Sequence, residues 1–166
     1  MDDKNNLIHI IMTGGTIDSV WDPGQDTVTV AEHSQIPDYF ASKKVEIRFS
    51  ESCMKDSRAL TEEDLTEILK TVEDSKEKKI IITHGIFAMP DTAKFLQDNL
   101  KRKDLFIILT GSKTPIGFTG SDAPANLDFA MKKLTELQPG IYLCLNQQIL
   151  TIKEAEKSLS EGNFYQ

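Results

Sequence analysis

Cysteine is scarce: the 166 residues hold two, Cys53 and Cys144, far apart and outside any CxxC pair. The three histidines, His9, His33 and His84, show no ligand-like spacing, so no metal site is expected. Both thiols read as reduced core side chains. Basic residues are outnumbered, 19 Lys and Arg against 26 Asp and Glu, for a formal charge of −7. Without a basic stripe, phosphate-backbone binding is disfavoured and no nucleic-acid partner is expected. The longest clear apolar run, residues 105–109, falls far below the ~20 residues of a bilayer-crossing helix. The start, Met1-Asp2-Asp3-Lys4, lacks the basic-then-apolar order of a secretory signal. A cytoplasmic protein with no membrane partner is the expectation. GxxxxGK[ST], GxGxxG and GxSxG are all missing, since the next glycine after Gly14-Gly15 is Gly24. These absences exclude a phosphate loop, a dinucleotide fingerprint and a serine-hydrolase elbow, and no cofactor is expected.

With 39% hydrophobic and 27% charged residues, the chain has the make-up of one globular domain spanning 1–166. Apolar runs at 7–12, 45–49, 79–83, 105–110 and 141–146 read as strands. Most are continuous runs, as expected where both sheet faces are covered. Only 45–49 alternates, which points to a sheet edge. Between the runs lie helical patterns. Thr61 before Glu62-Glu63-Asp64 is an N-cap with an acidic first turn, followed by Leu65, Ile68, Leu69 and Val72 on one stripe. Pro90-Asp91 opens a second helix. A third runs from about Asn126 to Pro139-Gly140, and a short one covers 35–41. Residues 19–31, with Pro23-Gly24, read as a mobile loop with some extended structure. The polar stretch 153–166 is either helix or tail. The alternation predicts an α/β fold: an open, mainly parallel sheet with helices on both faces, a Rossmann- or flavodoxin-like three-layer sandwich.

In such sheets, ligands bind beyond the carboxyl ends of the strands. Three candidate strands end alike, in Thr13-Gly14-Gly15-Thr16, Thr83-His84-Gly85 and Thr110-Gly111-Ser112. Glycine permits close backbone approach there, neighbouring N–H groups can hold an anion, and the hydroxyls offer a nucleophile, Thr16 first. Each turn read singly is also plain turn chemistry.

Met12-Thr13-Gly14-Gly15-Thr16-Ile17 resembles the TGGTI signature of the bacterial-type asparaginases. Ile82-Thr83-His84-Gly85 is similar to the start of that family's ITHGTDTM, and Thr110-Gly111-Ser112 through Ser121–Leu127 to its third stretch. The resemblance runs in order along nearly the whole chain and implies the family's larger first domain, without the smaller second one. It implies an amidohydrolase that cleaves the side-chain amide of asparagine or a similar small amino acid. Thr16 matches the nucleophile and Lys157 the activating lysine, although Lys157 also reads as a solvent-facing charge. Thr13, Gly14, Gly15, Ser52, Gly85, Ile86, Phe87 and Thr110 fall at substrate-binding positions. Backbone N–H groups near Gly14, Gly15 or Gly85 would meet the developing oxyanion. A homodimer completing the site is implied as well.

The chain departs from the family at the second motif, where HGTDTM reads His84-Gly85-Ile86-Phe87-Ala88-Met89. Ile86 replaces a hydroxyl-bearing threonine and Phe87 the aspartate that meets a substrate's amino group. Loss of a positioned acid–base group costs about 10²–10⁴-fold in rate. The loop after Thr16 has no tyrosine, and Ser50-Glu51-Ser52-Cys53 places an acid where a carboxylate would bind. Met54–Arg58 reads as surface charge first and as rim charge second. Two functions therefore stand: an impaired asparaginase-like hydrolase, or an inactive small-molecule-binding or dimerisation module on the same fold.

Overall fold

The computed structural model describes residues 7–166, so the polar start at 1–4 lies outside the described residues. A six-stranded sheet has the order β4-β1-β5-β6-β7-β8, and the first five of these strands are parallel. They are β1 (Ile8–Gly14), β4 (Ile47–Lys55), β5 (Lys79–Thr83), β6 (Phe106–Thr110) and β7 (Gly140–Leu145). β8 (Gln148–Thr151) returns antiparallel from β7. Its two-residue turn has Asn146 and Gln147 at φ 50° and 54°, as a tight primed hairpin requires. The mainly parallel α/β sandwich expected from the sequence is present, and residues 47–49 of the expected run 45–49 open an edge strand. That strand continues to Lys55, however, and β8 had no counterpart among the predicted runs.

Helices cover both faces. α2 (Glu62–Glu73), α3 (Met89–Asn99) and α5 (Ile152–Ser160) pack on one, around Ile11, Ile80, Ile82, Ile107 and Leu109. α1 (Ile36–Phe40) and α4 (Ala123–Lys133) pack on the other, around Ile10, Ile81 and Ile108. Adjacent isoleucines in each central strand thus serve opposite cores, which is why these strands read as unbroken apolar runs. Each fully buried isoleucine contributes about 2 kcal/mol before chain entropy is charged against it. Both cysteines are free and buried, and burial pushes each thiol up to about 11.

Local chemistry explains the helix ends. Thr61 accepts a hydrogen bond from the Asp64 N–H, while Asp64 accepts from the Thr61 N–H at 2.8 Å, a complete capping box. Thr61→Ala is expected to cost about 1 kcal/mol, read as a lowered urea midpoint with an unchanged slope. α4 begins earlier than predicted, with Pro124 in its first turn, and ends at Lys133, where Thr135 and Glu136 switch to tighter three-residue bonds. Residues 19–31 form a hairpin, β2 (Ser19–Asp22) with β3 (Thr27–Val30). The polar tail resolves into α5, capped by Thr151 and Glu154.

The crossover hands position the site. The β5–α3–β6 and β6–α4–β7 steps move the same way across the sheet with their helices on opposite faces, so their hands are opposite. One therefore breaks the usual preference for a single hand. The effect is to throw the loop after β6 onto the α1 face. There Ile116 N–H donates to Ile17 O at 3.0 Å, docking residues 113–117 against the turn that carries Thr16.

Candidate active site

Strand order reverses around β1, since the chain leaves it for β4 on one side and returns to β5 on the other. A cleft of about 850 Å³ opens beyond the carboxyl ends there. Its lining includes Gly15, Thr16 and Ser19 after β1, Met54 to Ala59 at and beyond the end of β4, Gly85 to Phe87 after β5, and Lys113 and Pro115 after β6. The β2–β3 hairpin covers one side through Val28, Thr29 and Val30.

The glycine turns are required by backbone packing. Gly14 and Gly15 have φ of 89° and 81°, where side chains are strained. A Cβ on Gly14 would lie 2.5 Å from Lys55 N, and one on Gly15 2.4 Å from the Gly85 backbone. Gly15 N–H donates to Lys55 O at 2.9 Å, so it is not a free donor for an oxyanion, contrary to expectation. Gly14 lies behind the cleft surface against β4 rather than in its lining.

The hydroxyls sort into committed and free. Thr13 Oγ1 donates to Thr83 O at 2.7 Å and Thr110 Oγ1 to Cys144 O at 2.8 Å, both buried ties between neighbouring strands. Ser19 Oγ donates to Gly15 O. Ser57 Oγ accepts from Ala88 N–H at 3.3 Å, beneath Gly85. Thr16 is exposed to the cleft, and its hydroxyl has no hydrogen-bond partner among the described residues. Thr13 and Thr110 therefore do not take the substrate-contacting places expected of them. Ser52 does not either: it lies inside β4, where the register shifts against β1, its Oγ buried and unpartnered among the described residues.

Lys157 is not brought to the cleft. It sits on α5 with its side chain 74% exposed, 3.9 Å from Glu161. The intervening chain forms β8 and then α5, placing this lysine on a solvent face, as its alternative reading held. Ile86 and Phe87 do line the cleft. Phe87 is 59% exposed, and its ring stacks on Tyr165 with centroids 6.5 Å apart. Tyr165 O–H also donates to Phe87 O at 3.1 Å.

His84 lies beside the site without entering it. Its Nδ1–H donates to Gly85 O at 2.6 Å, and Nε2 accepts from Thr92 Oγ1 at 2.8 Å. Burial holds its pKa down to about 4, so it is neutral and shapes the β5 exit. Asp18, fully buried, accepts from Ser34 Oγ and Gln35 N–H and thereby anchors the return of the hairpin. Burial raises its carboxyl above the usual range.

Charges absent from the expected site line the cleft. Lys55 is held by Asp64 at 2.8 Å and Arg58 by Asp56 at 2.5 Å. Lys113 has no ion pair among the described residues, although its backbone N–H is anchored on Asp122. Of the two readings of residues 54–58, surface or rim charge, the structure favours the rim, because β4 runs on to Lys55 and ends at the cleft. Asp56, which accepts from Arg58 N–H in a turn, was the one signal that the strand ends later. Nothing in the pattern marked Lys113, which the β6 crossover brings over the cleft. Among the described residues there is no cluster of His, Cys, Asp or Glu suited to a metal, and no helix long and apolar enough to cross a membrane.

The family described as "Asparaginase, N-terminal" matches residues 7–163. An L-asparaginase of Thermococcus kodakarensis is 31% identical over 109 residues, 64% of this chain and 33% of that protein. The solved thermostable L-asparaginase of the same organism superposes with a TM-score of 0.73 at 25% identity, over 88% of this chain and 46% of the other. A probable cytoplasmic L-asparaginase of Campylobacter jejuni gives 0.74 at 24% identity, over 88% of this chain and 48% of the other, a likeness of fold. The chain thus spans a third to a half of these proteins' lengths.

Proposed function

The chain belongs to the asparaginase family through that family's N-terminal region, and from this premise we propose an L-asparaginase-like amidohydrolase with Thr16 as its nucleophile. The observation that supports the reading is that, of the strand-end threonines Thr13, Thr16 and Thr110, only Thr16 has a hydroxyl without a hydrogen-bond partner among the described residues, exposed at the switch-point cleft. The threonine oxygen attacks the amide carbon, the C–N bond breaks, and ammonia leaves with the proton the hydroxyl gave up. Water then hydrolyses the resulting ester and frees the carboxylic acid and Thr16.

Proton transfer is the weak step. Lys157 is remote, the Lys55 amine is tied to Asp64, and Ile86 and Phe87 stand where the resemblance placed a hydroxyl and a carboxylate. Turnover is accordingly slow. The reading includes one domain over residues 1–166, supported by two cores built on one sheet. It also includes a cytoplasmic homodimer: the name of the Campylobacter relative supports the compartment, and the exposed rings of Phe87 and Tyr165 beside the cleft support an apolar contact. The same two second-motif residues favour the other function, a non-catalytic binding module, because apolar groups in the wall exclude polar chemistry.

Ammonia release from asparagine separates the two. The hydrolase reading expects slow release, raised about 10²-fold in the double variant Ile86→Thr, Phe87→Asp. No release from either protein would leave only the binding module.

A further inference from the structure

The charge in the cleft is one-sided, although the chain as a whole carries −7. Lys55, Arg58 and Lys113 line it against a single carboxylate, Asp56. That carboxylate is spent on Arg58, with Oδ2 2.5 Å from the guanidinium and Oδ1 accepting both Nε–H and the Arg58 backbone N–H. Asp64 is spent on Lys55, accepting at 2.9 and 2.8 Å on its two oxygens. Asp18 and Glu51 are tied to Ser34, Gln35 and His33 on the α1 side, outside the lining. Among the described residues what remains in the lining is one ammonium without an ion pair, Lys113, in the same cleft as the apolar Ile86 and Phe87.

A zwitterionic amino acid needs both a cation for its carboxylate and an anion for its ammonium. Desolvating the ammonium against Ile86 and Phe87, with the one lining carboxylate already bonded to Arg58, is unfavourable. We propose that the cleft takes a small carboxylate that bears an amide and no ammonium group, with Lys113 holding the carboxylate and the Ile86–Phe87 wall excluding the amino group. This rests on the amidohydrolase reading for the amide and on the cleft's own charges for the remainder.

The probes are succinamate, which is asparagine without its amino group, and asparagine itself, titrated calorimetrically into the whole chain. Succinamate is expected to bind at least tenfold tighter, and raised salt should weaken it. Lys113→Met should remove that preference while leaving the fold intact, since the Lys113 side chain is exposed and its backbone bond to Asp122 does not depend on the side chain. Phe87→Asp should move preference back toward asparagine. Equal or tighter binding of asparagine, no saturable binding of succinamate, or an unchanged preference in Lys113→Met would each overturn the proposal. Succinamate preference without ammonia release would sink the hydrolase reading and keep the ligand class. Release from asparagine with no succinamate preference would do the reverse.

Discussion

Thr16→Ala is expected to lower ammonia release by about 10³-fold or more, both in the native chain and in the Ile86→Thr, Phe87→Asp background. The size follows from the ties on the other strand-end hydroxyls; Thr29, also without a side-chain hydrogen bond among the described residues, sits on the covering hairpin and not at a strand end of the main sheet. Thr13 and Thr110 are locked onto carbonyls of adjacent strands, Ser19 bonds Gly15 O, and Ser57 lies under the Gly85 backbone. Turning Thr13, Thr110 or Ser19 onto a substrate would break its bond to a backbone carbonyl. The Thr16 hydroxyl makes no hydrogen bond among the described residues, and the bond its carbonyl accepts from Ser19 N–H survives the substitution, so its loss should move the urea midpoint very little. Thr16→Ser, which keeps the oxygen, should retain activity. Ammonia release at the parental rate in the alanine variant would remove Thr16 as nucleophile.

Acid should unfold the domain well above the usual carboxylate range. His9 and His84 are both fully buried and both held down to about 4, chiefly by burial. Their hydrogen bonds require the neutral ring. His9 Nδ1–H donates to Ser75 Oγ at 2.8 Å, because the Ser75 hydroxyl itself donates to Glu77, and Nε2 accepts from Ser50 Oγ at 2.8 Å. His84 accepts on Nε2 in the same way. In the unfolded chain each ring takes its proton near pH 6.5, and in the folded chain only near 4. Stability is therefore full above 6.5 and falls as pH drops from 6.5 toward 4, by about 3 kcal/mol for each histidine. Asp18, with its raised carboxyl, works in the opposite sense, while Asp64 and Glu77, held low, extend the loss below pH 4. Two rings together remove about 6 kcal/mol, comparable with the whole stability of an ordinary domain. Urea midpoints at intervals between pH 7 and 4.5 test this, and a flat profile across that range would show that the rings are protonated while folded.

Much of the scaffold was legible from periodicity. The runs at 79–83 and 105–110 are unbroken because consecutive side chains enter two different cores, and the alternation at 45–49 leads into the edge strand that opens at Ile47. The rest of β4 escaped because residues 50–55 are largely polar, which an edge strand with a register shift tolerates. β8 escaped because four residues at a sheet edge carry little pattern.

The candidate site divides along the same line. Sequence alone placed the glycine turns at the strand ends and the layered sheet beneath them, since positive φ and close backbone approach leave glycine as the residue without strain. The resemblance to the family's second motif also singled out Ile86 and Phe87, which the structure places in the cleft lining. Tertiary structure alone decided which threonine is free. Thr13, Thr16 and Thr110 sit in nearly the same local wording, and only the register between strands assigns two of them to neighbouring carbonyls. It likewise chose Lys113 over Lys157, because a lysine's place is set by the path of the backbone that carries it. The β6 crossover brings one over the cleft, and the β8 return turns the other out to solvent.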